Sequence, residues 1–333
     1  MTAAADFGRQ FSEADLGDST MRILVVGAGA IGGYFGGRLA AAGQDVTFLV
    51  RARRAGELAK DGLQISSPAG DVHIPSPKTV SAKDLKDHYD LVLLSCKAYD
   101  LEGAIHDFAP AVGPQTAILP LLNGMHHMDV LDRRFGAARV LGGLCMISTN
   151  LEAGGRVAHL NKLHILAYGE RDGSHSPRVE AIAKAFVGAN FVVRQTDAIQ
   201  QEMWEKWVFI ASCAGITCLM RSTIGDIVAA GGAEQCTSLL AECAAVAGSQ
   251  GHPPSSASLE LSRSVLTAAG SPLAASMWRD MERGAQIEAG HMIGDLLQRG
   301  AERKVPTPLL RVVYTHLRTY ELRRERESAG NQG

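Results

Sequence analysis

The stretch Arg22-Ile-Leu-Val-Val-Gly27-Ala-Gly29-Ala-Ile-Gly32-Gly33 constrains the fold more than any other part of the chain. Four consecutive apolar residues, Ile23, Leu24, Val25 and Val26, read as a buried strand. Three glycines follow at G-x-G-x-x-G spacing, and residues 34–42 then have helical composition closed by Gly43. Strand, tight turn and helix start in succession turn a bare glycine pattern into a dinucleotide fingerprint. Gly27 lets the chain turn, Gly29 keeps a side chain away from an approaching pyrophosphate, and Gly32 lets helix and strand pack closely. The N–H groups and dipole of the helix start face the phosphates. Gly27, Gly29, Ala30, Ile31 and Gly32 are therefore the candidate cofactor-binding positions. The competing reading is a glycine-rich turn in an unrelated α/β protein.

A second strand, residues 45–50, ends in Arg51-Ala-Arg53-Arg54. An NAD-binding unit carries an acidic residue here for the ribose hydroxyls. Arg51 stands there instead, and a guanidinium pairs with a 2′-phosphate that a carboxylate would repel. This favours NADP(H) as cofactor over the alternative of a solvated helix start. Residues 62–67 and 71–74 flank Pro68-Ala-Gly70 as a hairpin. Two further strands, 90–95 and 115–120, run into Cys96-Lys97-Ala98 and Leu122-Asn123-Gly124-Met125. Lys97 and Asn123 thus both lie just past strand ends, the edge at which an open parallel sheet binds ligands. Against this, Asn-Gly is an ordinary turn dipeptide and Lys97 reads equally as a solvated loop residue. Residues 140–150, 155–159, 163–169 and 191–194 read as later strands, and 176–188 as a helix.

After Asp197 the pattern becomes helical, at about 198–220, 232–250, 256–268, 273–303 with a break, and 307–325. The division expected is an α/β domain over 21–197, an all-α domain over 198–326 and a tail over 327–333. Residues 1–20 are acidic with no apolar run, which reads as a disordered extension and not as a signal peptide or anchor. No segment is long and apolar enough to span a bilayer. The net charge of −2 leaves no electrostatic footprint for nucleic acid. Six cysteines with no C-x-x-C pair read as reduced core thiols of a cytoplasmic protein without a metal site.

Two charges in the helical half stand on apolar stripes. Met203, Lys206, Trp207, Ile210 and Ala214 share one helical face, and Ala285, Glu288, Met292 and Leu296 share another. A charge on such a face is costly unless it is paired or used. Lys206 could also snorkel or pair with Glu202, and Glu288 could lie on a neighbouring, solvated face.

From Met21 to about Glu325 the chain resembles the ketopantoate reductase family. The resemblance rests on the glycine stretch, on Cys96-Lys97-Ala98 and on Leu122-Asn123-Gly124-Met125. In the second half it rests on Glu202-Met203-Trp204-Glu205-Lys206-Trp207, Ser276-Met277-Trp278-Arg279-Asp280-Met281, and residues 284–297 with Glu288 inside. It implies a Rossmann-type N-terminal dinucleotide-binding domain, an all-α C-terminal domain and an active site in the cleft between them. Carried over by position, Lys206 is the catalytic lysine and Glu288 the catalytic, substrate-orienting glutamate. Asn123 lies near nicotinamide and substrate, Lys97 near the cofactor, Arg51 at the 2′-phosphate and Ser276 at the substrate carboxylate.

The resemblance also marks departures. Two asparagines one and two turns after the lysine are Ile210 and Ala214 here, and an asparagine three residues before the serine is Leu273. These positions belong to the substrate side. The expectation is an NADPH-dependent 2-oxoacid reductase acting on 2-dehydropantoate in pantothenate biosynthesis, or a relative acting on a more apolar oxoacid. A cofactor-binding regulator without turnover would need neither Lys206 nor Glu288. The expected partner is a small 2-oxoacid, without nucleic acid or membrane, and a homodimer is admitted.

Overall fold

The computed structural model describes residues 20–330. The extension expected over the first twenty residues lies outside them save for Thr20, as does 331–333 of the expected tail. The described chain forms two compact units. The first holds residues 20–95, Asp107–Leu119 and Cys145–Asp197, and the second Cys96–His106, Pro120–Leu144 and 198–330.

In chain order, β1 (Arg22–Val26), α1 (Ala30–Ala41), β2 (Asp45–Leu49) and α2 (Ala52–Asp61) open the structure. β3 (Leu63–Ser66), β4 (Val72–Ile74), β5 (Thr79–Val80) and β6 (Tyr89–Leu94) follow, then α3 (Leu101–Phe108), β7 (Val112–Pro120) and α4 (His126–Phe135). β8 (Gly142–Leu151), β9 (Val157–Gly169), α5 (Pro177–Ala185) and β10 (Val192–Gln195) complete the α/β part.

β1 is the centre of a five-stranded sheet ordered β5-β2-β1-β6-β7. It pairs in parallel with β2 and with β6, so that Ile23 faces both Val46 and Leu91. A strand with neighbours on both sides and cover on both faces must be apolar at every position, which is why residues 23–26 form an unbroken apolar run. A second sheet is ordered β10-β9-β3-β4, with β8 on β9. The expected hairpin is β3 and β4, antiparallel with Leu63 opposite Ile74. One expectation is corrected: 155–159 and 163–169 are not two strands but the single β9. Leu160, Asn161 and Lys162 continue its backbone, and the exposed Leu160 and Leu163 hide the alternation.

The helical part consists of α6 (Ile199–Met220), α7 (Ile224–Ala229), α8 (Ala233–Ser249), α9 (Ser256–Leu266), α10 (Ser276–Glu282), α11 (Asp295–Glu302) and α12 (Pro308–Gly330). α6 is the core of the second unit. Trp207, Val208, Ala211, Ile216 and Cys218 are buried along it, against α8, α10 and α12. α7 was not expected, and its start is set by Thr223, whose hydroxyl accepts from Asp226 N. The stretch 273–303 breaks after α10 at Gly284, whose φ of +66° suits glycine. Residues 285–288 are not helical, and the chain then re-enters through one π turn, Gly290–Gly294, leading into α11. The final helix runs to Gly330, beyond the expected 325.

All six cysteines are free thiols, five of them buried. Among the described residues no helix is long and apolar enough to cross a membrane, and no group of His, Cys, Asp and Glu could hold a metal ion.

Candidate active site

In the first unit the fingerprint is a piece of backbone architecture. Gly27 has φ +92° and donates to Leu49 O at 3.0 Å, which turns the chain out of β1. A Cβ on Gly32 would overlap the Gly27 carbonyl oxygen and the Ser95 hydroxyl, so the helix can lie this close to the strand only with glycine there. Gly29 differs, since a Cβ there would meet no protein atom within 4 Å. The first N–H of α1 with an intrahelical partner is that of Gly33, on Gly29 O at 2.8 Å. The N–H groups of Ala30, Ile31 and Gly32 therefore precede the helix ladder, next to the open space at Gly29, and no acidic side chain occupies the first turn. Such a cradle fits an anionic phosphate. Arg51 is exposed at the N-cap of α2, and Arg54 donates from Nε to Ala28 O at 2.9 Å and pairs with Glu57. Arg54 thus braces the glycine turn, a role that the run of arginines did not reveal.

The other candidates fall in the second unit, although Lys97 and Asn123 follow strands of the first sheet in sequence. Lys206, on α6, is half-buried, and its ammonium donates to Asn123 Oδ1 at 2.9 Å. A lysine can only donate, so the amide presents its oxygen to Lys206 and turns its NH2 away. Glu288 is not on a helical stripe as expected. Ala285 and Glu288 precede the helix, and the Glu288 carbonyl accepts the first helical bond, from Met292 N at 2.9 Å. Its carboxylate accepts from Ala98 N at 2.9 Å and pairs with Lys97 Nζ at 3.2 Å, while Asp280 of α10 stands 3.4 Å from the same ammonium. Burial would lower the Lys97 pKa, but the Glu288 and Asp280 charges outweigh it and hold it above the ordinary lysine value.

Two histidines missed in the sequence complete the group. His291, on the π turn, lies 2.7 Å from Asn123 O through Nε2, and the same nitrogen is 3.3 Å from Nδ1 of the fully buried His127. Burial pushes both imidazoles down, His127 far below its usual value with help from the charges of His291, Lys206 and His126. The signal that could have found them is adjacency, since His127 lies four residues after Asn123 and His291 three after Glu288. Ser276 is exposed at the first position of α10 and joins neither the Lys206–Asn123 pair nor the Glu288 cluster. Of the positions where asparagines are absent, Ala214 is buried and Ile210 and Leu273 are half-buried.

The family description "Ketopantoate reductase PanE/ApbA" matches residues 23–173, and "Ketopantoate reductase PanE/ApbA C terminal" matches residues 198–321. The chain belongs to the ketopantoate reductase family. Members of this oxidoreductase family bind NAD(P)H. The uncharacterised oxidoreductase YkpB of Bacillus subtilis is 38% identical over 302 residues, covering 90% of this chain and 99% of that protein. The 2-dehydropantoate 2-reductase of Mesorhizobium japonicum is 26% identical over 329 residues, covering 91% and 99%. Among solved structures, 2-dehydropantoate 2-reductase from Geobacter metallireducens superimposes with a TM-score of 0.82 at 29% identity, over 90% of this chain and 99% of that one. A D-mandelate dehydrogenase solved with NADH and anilino(oxo)acetate reaches 0.81 at 20% identity over 92% and 100%, a likeness of fold.

Proposed function

We propose that this ketopantoate reductase family member reduces a 2-oxoacid with NADPH, with 2-dehydropantoate as the first candidate substrate and pantoate as its product. The observation that carries the reading is the Lys206 ammonium held on Asn123 Oδ1 on a helix whose face is otherwise apolar. Reduced nicotinamide, when bound, supplies a hydride. Gly27, Gly29 and the N–H groups of Ala30, Ile31 and Gly32 take the pyrophosphate, and Arg51 takes the 2′-phosphate. Reduction of a ketone would build negative charge on its carbonyl oxygen. Lys206 stabilises that oxygen and transfers a proton to it, which completes the alcohol, and the neutral amine regains a proton from solvent. In this reading the Asn123 NH2, which Lys206 does not engage, donates to a carbonyl oxygen of substrate or carboxamide. Glu288, fixed by Lys97 and Ala98, accepts from a substrate hydroxyl and fixes its orientation. Ser276 lies at a helix start and is assigned to the substrate carboxylate.

A second substrate reading rests on Ile210, Ala214 and Leu273. Apolar groups there give substrate oxygens fewer donors and favour a more apolar 2-oxoacid. The deciding experiment follows NADPH oxidation with no acceptor, with 2-dehydropantoate and with a panel of apolar 2-oxoacids, and repeats it with NADH. Turnover that needs an oxoacid and prefers NADPH is the expected result. The rank of kcat/KM across the panel then assigns the substrate. Cofactor binding without turnover on any acid would make the chain a regulator.

A further inference from the structure

We propose that His291 is a positioning residue that clamps the Asn123 backbone and so keeps Asn123 Oδ1 on Lys206. The proposal rests on the reading that Lys206 and Asn123 act on the substrate carbonyl. A backbone carbonyl oxygen can only accept, so at 2.7 Å from Asn123 O the His291 Nε2 must carry the proton. The same nitrogen lies 3.3 Å from His127 Nδ1. His291 is thereby assigned as the Nε2–H tautomer, and neither it nor His127 carries a charge. Their neutrality follows from burial, which depresses both, and the charge of Lys206 opposes a proton on His127.

The clamp acts where the chain most needs one. Asn123 is followed by Gly124 at φ +79°, a backbone that would otherwise let the amide swing. The Gly124 Cα lies so close to His291 that a Cβ would stand 3.2 Å from the imidazole. His291 is itself fixed from several sides. Met292 N donates to Glu288 O, and Trp207 Nε1 donates to Met292 O at 2.9 Å, with Trp207 adjacent to Lys206 on α6. A Cβ on Gly294 would press on the Tyr314 ring at 2.9 Å, so the π turn sits tightly on α12. The π turn thus begins two residues after the glutamate and carries the histidine that orients the asparagine. Such single turns recur at functional sites because they re-aim a side chain.

The test compares His291→Phe, which keeps an aromatic ring without the donor, with His291→Gln, which restores an N–H close to the position of Nε2. On the best 2-oxoacid, His291→Phe is expected to lose about tenfold in kcat, the scale of one lost hydrogen bond, with KM for NADPH within about twofold of wild type. His291→Gln is expected to recover most of the loss. A merely structural histidine would lower thermal stability in both variants alike and leave no difference in kcat between them. An unchanged kcat in His291→Phe, or equal losses in both variants, overturns the clamp while the functional reading stands. Long-range 1H–15N spectra of the histidine rings in the full chain give a readout independent of activity. A neutral Nε2–H tautomer at His291 is expected, and a charged or Nδ1–H His291 overturns the clamp. A wild-type chain that reduces no 2-oxoacid defeats the functional reading instead, and with it any role for His291 in a reaction.

Discussion

The glycine turn of the first unit, proposed to hold the cofactor phosphates, is built from backbone inside one contiguous stretch of sequence. The second unit works with side chains that the fold gathers from Lys97, Asn123, Lys206, Glu288 and His291, the Lys97–Glu288 pair alone joining residues 191 apart. The two therefore fail in opposite ways. A backbone site tolerates almost any neighbouring side chain but not an added Cβ where strand and helix touch. A side-chain site keeps its fold through many substitutions and loses chemistry when one polar group goes.

The largest expected effect sharpens the contrast within the turn itself. Gly32→Ala drives a methyl into the Gly27 carbonyl and the Ser95 hydroxyl, and should destabilise the protein by about 3 kcal/mol, the upper range for overpacking. Gly29→Ala meets only open space and should leave the melting temperature unchanged while weakening NADPH binding. Thermal melts and cofactor titrations of the two variants check this, and equal melting temperatures would mean the turn is not held by close packing. Arg51→Asp comes next. Losing a charge-assisted phosphate contact is worth about 1.5–3 kcal/mol, or ten- to a hundredfold in affinity, so the preference for NADPH over NADH should narrow or invert. A wild type that already prefers NADH would remove Arg51 from the site.

The smallest effect is the pH dependence that His127 and His291 give the second unit. His127 and His291 have folded pKa values below the ordinary histidine value of 6.5. The unfolded chain binds more protons below that pH, so stability from these groups is full above about pH 6.5 and falls as pH drops through it. His126 and Lys206 face His127, and Glu288, His126 and Asp295 bear on His291. The melting temperature should therefore fall modestly between pH 7 and pH 5. His127→Leu, which removes the most deeply buried ring, should flatten that slope. An unaltered slope would place the titration elsewhere.

The same contrast explains how much was legible in the sequence. The turn could be read because strand, glycines and helix start are consecutive, and residues 23–26 of β1 had to be apolar because the strand is central. Lys206 could be read because α6 is a continuous helix, so periodicity alone set it on an apolar face. Periodicity sets Glu288 on a helical stripe that the structure does not form. Gly284 stops α10, residues 285–288 leave the helix, and a periodicity argument cannot register an unwound segment between two helical ones. His127 and His291 give no periodic signal, because His291 meets the Asn123 carbonyl, a backbone atom that side-chain patterns do not report, and His127 meets His291. Arg54 was hidden by its neighbours in a run of three arginines and is distinguished only by its bond to Ala28 O.

The central claim is that cofactor binding and proton transfer reside in different residues, with Lys206 responsible for the second. Measuring kcat on the best 2-oxoacid and the Kd for NADPH side by side in Lys206→Ala tests it most directly. The account predicts a fall in kcat of about 10²- to 10³-fold, the scale of one lost transition-state donor, with NADPH affinity and melting temperature close to wild type. A variant that retains near-normal kcat would contradict it and reduce Lys206 to a lysine that merely rests on Asn123.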